Sequence, residues 1–234
     1  MSPRAAAPAA KRRRLDRTDF NAPTLRVARD LLGKFIVHRQ DGRELAAMIT
    51  EVEAYKGPRD RASHAAGGRR TARVEPLYRD GGTVYVYFVY GMHWLLNFST
   101  AGAGKPEGVL IRAVQADASD GHAVIAGPGR VTRHLAIDKR LDGADATRSK
   151  ELWLEDRGVR IPGRRVRKSP RVGVDYAGPY WAARPWRYSV IEEAGSAGTR
   201  ADRPVGSPTA RPCTGATDTR EPGRRTRRRD RTAA

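Results

Sequence analysis

The sequence predicts an α+β fold, a single mixed domain built on a largely antiparallel β-sheet with short helices beside it. Three observations carry this expectation. Asp41-Gly42 stands between two strand-like runs, KFIVHRQ and RELAAMITEVEAY, and Asp-Gly in that position signals a tight hairpin. GTVYVYFVYGMHWLLNFST holds two apolar and aromatic runs around Gly91. Helical spacing is confined to two short stretches, so strands outnumber helices and hairpins join most of them.

The elements follow in order. Asn21-Ala22-Pro23, then Leu25, Ala28, Leu31, Leu32 and Gly33, has the cap, early proline, apolar spacing and closing glycine of one short helix. The Asp41-Gly42 hairpin comes next and ends in EVEAY. Period-two geometry there puts Glu51, Glu53 and Tyr55 on one face and Val52 and Ala54 on the other. GPRDRASHAAGGRRTAR, rich in glycine and arginine, reads as an exposed loop. In the second hairpin Tyr85 and Tyr87 share a face opposite Val84, Val86 and Phe88, and the phase breaks at Tyr90. GVLIRAVQ gives another strand and GPGRVTRHLAI a short helix, while PRVGVDYAG and PWRYSVI read as closing strands.

Charge and composition limit what such a domain does. The 234 residues carry a formal net charge of +19, and only 39% are apolar, low for a chain folded throughout. Residues 1–14 hold +5 and residues 195–234 hold +6, and neither end can bury enough apolar surface to offset chain entropy. They are expected to be a disordered basic arm and a disordered tail around a folded domain at 15–194. That domain keeps +8 of its own, the electrostatic footprint of a nucleic-acid binder. Cys213 is the only cysteine, which excludes an intrachain disulfide framework or a thiolate zinc site. No apolar run reaches the roughly 18–20 residues of a membrane span, and no secretory signal opens the chain. The expectation is a soluble intracellular protein that binds no membrane and acts as a monomer.

Several residues invite a chemical reading, each with a plainer one beside it. A pair of glutamates on a strand is usually a solvated face, and tyrosines at strand spacing usually pack across strands. A phenol at a hairpin tip in a basic protein also suits a wedge between bases. Glu51, Glu53, Asp60 and His64 together suggest a divalent metal and a nuclease, but no HxxxH or HExxH pattern supports this. Arg69, Arg70 and Arg73 in GGRRTAR are candidates for phosphate contacts.

The ordered set EVEAYKGPRDRASHAAGGRRTAR, GTVYVYFVYGMHWLLNFS, GVLIRA, GPGRVTRHLAI, PRVGVDYAG and PWRY resembles the 3-methyladenine DNA glycosylase family over roughly residues 17–191. The resemblance implies a curved sheet with a hairpin that protrudes for insertion into DNA. It implies that Glu53 is the general base for the water that attacks the sugar, and that Arg112 supports the flipped nucleotide and that water. Tyr55, His64 and Tyr87 would wall the base pocket. Asn97 would crowd the exocyclic amine of guanine, and Tyr90 would fill the gap left in the duplex. The implied partner is double-stranded DNA carrying alkylated or otherwise damaged purines, with no metal and no organic cofactor. Ordinary glutamate chemistry, helped by basic neighbours, would keep Glu53 ionised at neutral pH. Two departures stand out. Only VQADASDGHAVIA separates LIRA from GPG, shorter than the family's helical segment, and Val74 replaces the family's usual Asn. The short segment keeps a rival open, a relative that binds nucleic acid without catalysis.

Overall fold

A computed structural model describes residues 12–116 and 123–191. Most of the expected basic arm, the whole expected tail and positions 117–122 of the shortened segment lie outside the described residues. The arm's proposed boundary shifts, because Arg13–Arg14 forms a strand, β1, and its Arg13 guanidinium holds the Asp19 carboxylate at 2.8 Å and 3.0 Å.

Nine further strands follow among the described residues: β2 (Phe35–Gln40), β3 (Arg43–Tyr55), β4 (Val84–Val89), β5 (His93–Thr100), β6 (Glu107–Ala116), β7 (Val124–Ala126), β8 (Leu152–Asp156), β9 (Val166–Ser169) and β10 (Arg187–Val190). Every pairing is antiparallel, and the order is β1-β8-β2-β3-β6-β5-β4, with β7 on β6, β10 on β3 and β9 on β10. The sheet is open rather than closed. Among the described residues five short α-helices accompany it: α1 (Arg17–Phe20), α2 (Thr24–Asp30), α3 (Glu75–Tyr78), α4 (Pro128–His134) and α5 (Pro179–Ala182).

Both predicted hairpins form, and both use the same turn chemistry. Asp41 and Gly42 have φ of +50° and +76°, and Tyr90 and Gly91 have +52° and +67°, the left-handed pairs that match the twist of adjoining strands. Strand alternation then divides the sheet into two faces. Val84, Val86, Leu96, Phe98, Val109, Ile111, Val52 and Ala54 enter the main core with Phe20, Val131 and Leu135. Tyr85, Tyr87 and Tyr55 face the other way, into two smaller clusters under the loops.

The structure corrects three expectations. Asn21 does not cap α2; it ends α1, and its Oδ1 accepts the Gly81 N–H at 2.9 Å, while Asp16 and Asp19 cap α1 reciprocally. GPRDRASHAAGGRRTAR is not exposed throughout: Asp60, Ala62, Ser63 and Ala65 are buried, while Pro58, Arg59, Arg61 and the arginine-rich end face solvent. PRVGVDYAG is a loop with a short 3₁₀ turn at Asp175–Ala177, not a strand. Gly173 and Gly178 there have φ of +70° and +87°, incompatible with extended pairing. Strands β8 and β9 were not anticipated. VRKS has little apolar content to mark it.

Candidate active site

Register places the site. Tyr85 of β4 pairs with Asn97 of β5, Asn97 with Leu110 of β6, Leu110 with Glu53 of β3, and Glu53 with Arg187 of β10. Five strands thus set these residues in one row, and alternation turns their neighbours two positions along, Tyr87, Arg112 and Tyr55, to the same face. The loops at 56–74 and 170–178 close over that face. Between them lies a cavity of about 310 Å³, at the lower end of the ~300–1,000 Å³ usual for small-molecule sites. Tyr55, His64, Tyr85, Tyr87, Asn97 and Arg112 line it, with Tyr90 and Tyr176 also on its wall.

The aromatic part is a contiguous cage. His64 meets Tyr87 edge-on with ring centroids 4.6 Å apart, and Tyr85 lies 5.1 Å from Tyr87. The His64 Nδ1 and the Tyr85 hydroxyl are hydrogen-bonded at 2.8 Å. Burial lowers the His64 pKa, and Arg73 and Arg69 lower it further, so the imidazole is neutral at pH 7. Burial pushes the Tyr85 phenol up to about 12 and the Tyr87 phenol higher still. The rings are therefore neutral, with electron-rich faces. Tyr85, read from the sequence only as a cross-strand partner, belongs to this cage.

Glu53 is one layer beneath the cavity wall and 0% exposed. Its Oε2 accepts the Tyr55 hydroxyl at 2.8 Å, and its Oε1 accepts the Val172 N–H at 2.8 Å and lies 3.3 Å from Arg112 Nε. All three partners line the cavity. Arg112 Nε also donates to Glu51 Oε1 at 3.0 Å, and Arg187 approaches that same oxygen at 3.5 Å. The expectation of an ordinary Glu53 is corrected: burial raises its pKa, and the opposing pull of Arg112, the Val172 N–H and the Tyr55 hydroxyl does not cancel it. Tyr55, buried beside this charge, is raised well above the usual phenol range.

Asn97 is buried, and its Nδ2 donates to the backbone carbonyls of Tyr85 at 3.2 Å and Leu95 at 3.4 Å, so its amide plane is fixed against the cavity. Tyr90 stands at the hairpin tip, 88% exposed, flanked by exposed Phe88 and Met92. The arginines differ from one another. Arg70 is engaged with Glu75 through two 2.8 Å hydrogen bonds, and Arg73 turns inward, donating to Phe88 O at 3.2 Å and lying 5.7 Å from the Tyr87 ring centroid. Arg69 caps the 3₁₀ turn at Ala66–Gly68 on the exposed loop. The four candidate metal ligands do not converge. Asp60 is bound to Arg171, His64 to Tyr85, and no group of three such side chains gathers among the described residues. Arg171, Val172 and Tyr176 were missed from the sequence, and Asp60 was read there only as a metal ligand, because their partners lie more than a hundred positions away.

The fold and site describe an antiparallel-sheet protein with a ring-lined cavity above a sealed carboxylate. The chain belongs to the methylpurine-DNA glycosylase family, whose model matches residues 18–194. It is 39% identical over 197 residues to a protein of Desulfitobacterium hafniense (strain Y51), covering 75% of this chain and 94% of that one. It is 40% identical over 186 residues to one from Methanocella arvoryzae (74% and 90% covered) and 42% identical over 177 residues to one from Anaeromyxobacter sp. (strain Fw109-5; 76% and 89%). Each of the three bears the name "Putative 3-methyladenine DNA glycosylase".

Proposed function

We propose that the protein is a monofunctional DNA glycosylase that extrudes alkylated purines, of the 3-methyladenine and 7-methylguanine class, from duplex DNA and hydrolyses the N-glycosidic bond with water, opening base excision repair. One observation carries the reading: the Glu53 carboxylate is hydrogen-bonded to Tyr55, itself a wall of the ring cavity. A carboxylate accepts about four hydrogen bonds. Three contacts are taken by Tyr55, Val172 and Arg112, which leaves Oε2 able to hold one water.

In this mechanism the water oxygen bonds to C1′ as the C1′–N bond breaks, its electron pair leaves with the purine, and the water proton passes to Glu53. Alkylation at N3 or N7 makes the base cationic, so it leaves as a neutral molecule without acid help. The neutral cage favours that cation by about 0.5–2 kcal/mol per ring face. A protonated histidine there would repel it, and His64 is held neutral. Extrusion costs a few kcal/mol, and Tyr90 is placed to fill the vacated stack. No lysine lines the cavity among the described residues, which favours water over a Schiff base.

The test is release of free 3-methyladenine from methylated duplex DNA. The wild type should release it, and Glu53→Gln should lose about 10²–10⁴-fold, the usual worth of a general base. Binding without release in both proteins would assign a non-catalytic nucleic-acid binder. Strand scission abolished by EDTA, without abasic sites, would assign a nuclease.

A further inference from the structure

The backbone donor that holds Glu53 is not fixed by strand pairing. Val172 lies in the loop after β9, and the residue before it, Arg171, is buried with its side chain 0% exposed, as is that of its partner Asp60. Arg171 Nη1 donates to Asp60 Oδ2 at 2.5 Å, and Nη2 donates to Oδ1 at 2.9 Å. Asp60 also accepts the N–H groups of Lys56 at 3.0 Å and Ala62 at 3.1 Å, which fixes the turn that leads to His64.

The same guanidinium grips β3 on the far side of Glu53. Nη1 donates to Ala54 O at 3.0 Å, and its central carbon lies 4.7 Å from the Tyr55 ring centroid and 5.0 Å from that of Trp186. Arg171 Nε is buried with no acceptor among the described residues, where Asp60, backbone carbonyls and ring faces hold this group. A second strap, Tyr176 hydroxyl to Ala62 O at 3.0 Å, ties the same two loops. A buried ion pair gives up most of its attraction to desolvation, and its best-attested use is to select one arrangement over others.

We propose that Asp60 and Arg171 are positioning residues for Glu53: by locking the 56–68 loop to the 170–178 loop they aim the Val172 N–H at the carboxylate and set the Tyr55 ring against it. Neither touches substrate. The inference rests on Glu53 as the base, but part of its test does not.

Glu53 is faced by Glu51 and Tyr55 of β3, Arg112 of β6, Tyr87 of β4, Arg187 of β10, and Arg171 and Tyr176 of the later loop, with Asp60 behind Arg171. Two substitutions separate alignment from simple electrostatics. Arg171→Lys keeps the charge and loses the fork, so electrostatics alone predicts no change at Glu53. Asp60→Asn removes a like charge, so electrostatics alone predicts a lower Glu53 pKa. Lost alignment of the Val172 donor predicts a higher one in both.

The measurement is a ¹³C NMR titration of carboxyl-labelled glutamate in the full chain, with Glu53 assigned through Glu53→Gln. The same proteins are assayed for 3-methyladenine release across pH. The expected result is an upward Glu53 shift of half a unit or more in both variants, with release at pH 6 falling at least threefold further than at pH 8. An unmoved or lowered Glu53 overturns the proposal, as does failure of both variants to fold by near-ultraviolet circular dichroism, which would make the pair a scaffold only. If Arg171→Lys alone fails to fold, Asp60→Asn decides. Wild-type release with an unmoved titration would sink the positioning role and leave the glycosylase reading intact. A shifted titration without wild-type release would do the reverse.

Discussion

The Tyr55 hydroxyl donates to Glu53 Oε2 across 2.8 Å, so one wall of the cavity and the acid beneath it form a single unit. Removing that donor while keeping the ring tests the link. Tyr55→Phe should raise the Glu53 pKa further, because a buried carboxylate loses a hydrogen bond worth about 1.5–3 kcal/mol, or roughly one to two pH units. Release of 3-methyladenine should weaken on the acid side and recover near pH 8. An acid limb in the wild-type position would break the link.

The wild-type pH profile has a definite sign. Burial places the Glu53 pKa above the ordinary glutamate value, and only the ionised form takes a proton from water. Single-turnover excision should therefore fall as pH drops through that raised pKa and level off above it. His64, held below the usual imidazole range, should add no separate limb near neutrality. Excision that persists unchanged down to pH 4.5 would show that Glu53 is not the base.

Tyr90 holds a left-handed φ of +52° at the tip of a hairpin, a conformation that disfavours a bulky side chain by about 1–2 kcal/mol. Tyr90→Gly should keep or raise the melting temperature while excision from duplex DNA drops more than excision from single strands. Equal losses on both substrates, or a large loss of stability, would contradict a side chain kept for insertion at the expense of the fold.

Asn97 has its amide fixed by the carbonyls of Tyr85 and Leu95. Asn97→Ser shortens the side chain and opens the cavity beside Leu110, so release of normal guanine from undamaged DNA should rise above the wild-type level. The loss of two hydrogen bonds should cost about 1–2 kcal/mol of stability. Guanine release at the wild-type level would count against exclusion by this residue.

Strand faces were legible from the chain alone. Glu53 with Tyr55, and Tyr85 with Tyr87, follow from a two-residue period, and both tight turns follow from a glycine between two strand-like runs. The resemblance added Arg112 and Asn97, and register places Asn97 in the row of Glu53 and turns Arg112, two positions along from Leu110, to the same face. What was not legible was contact between loops. The GPRDRASH stretch looked solvated because its charges count as exposed until a partner is known, and the partner of Asp60 is 111 positions away.

Residue alternation by itself determined which side chains share the functional face within each regular stretch of strand, such as Glu53 with Tyr55 and Tyr85 with Tyr87. Only the tertiary structure decided that Glu53 lies sealed beneath that face, with a raised pKa and the Val172 N–H upon it. Burial and hydrogen bonding between distant segments depend on how loops close over a sheet, and no local pattern encodes that.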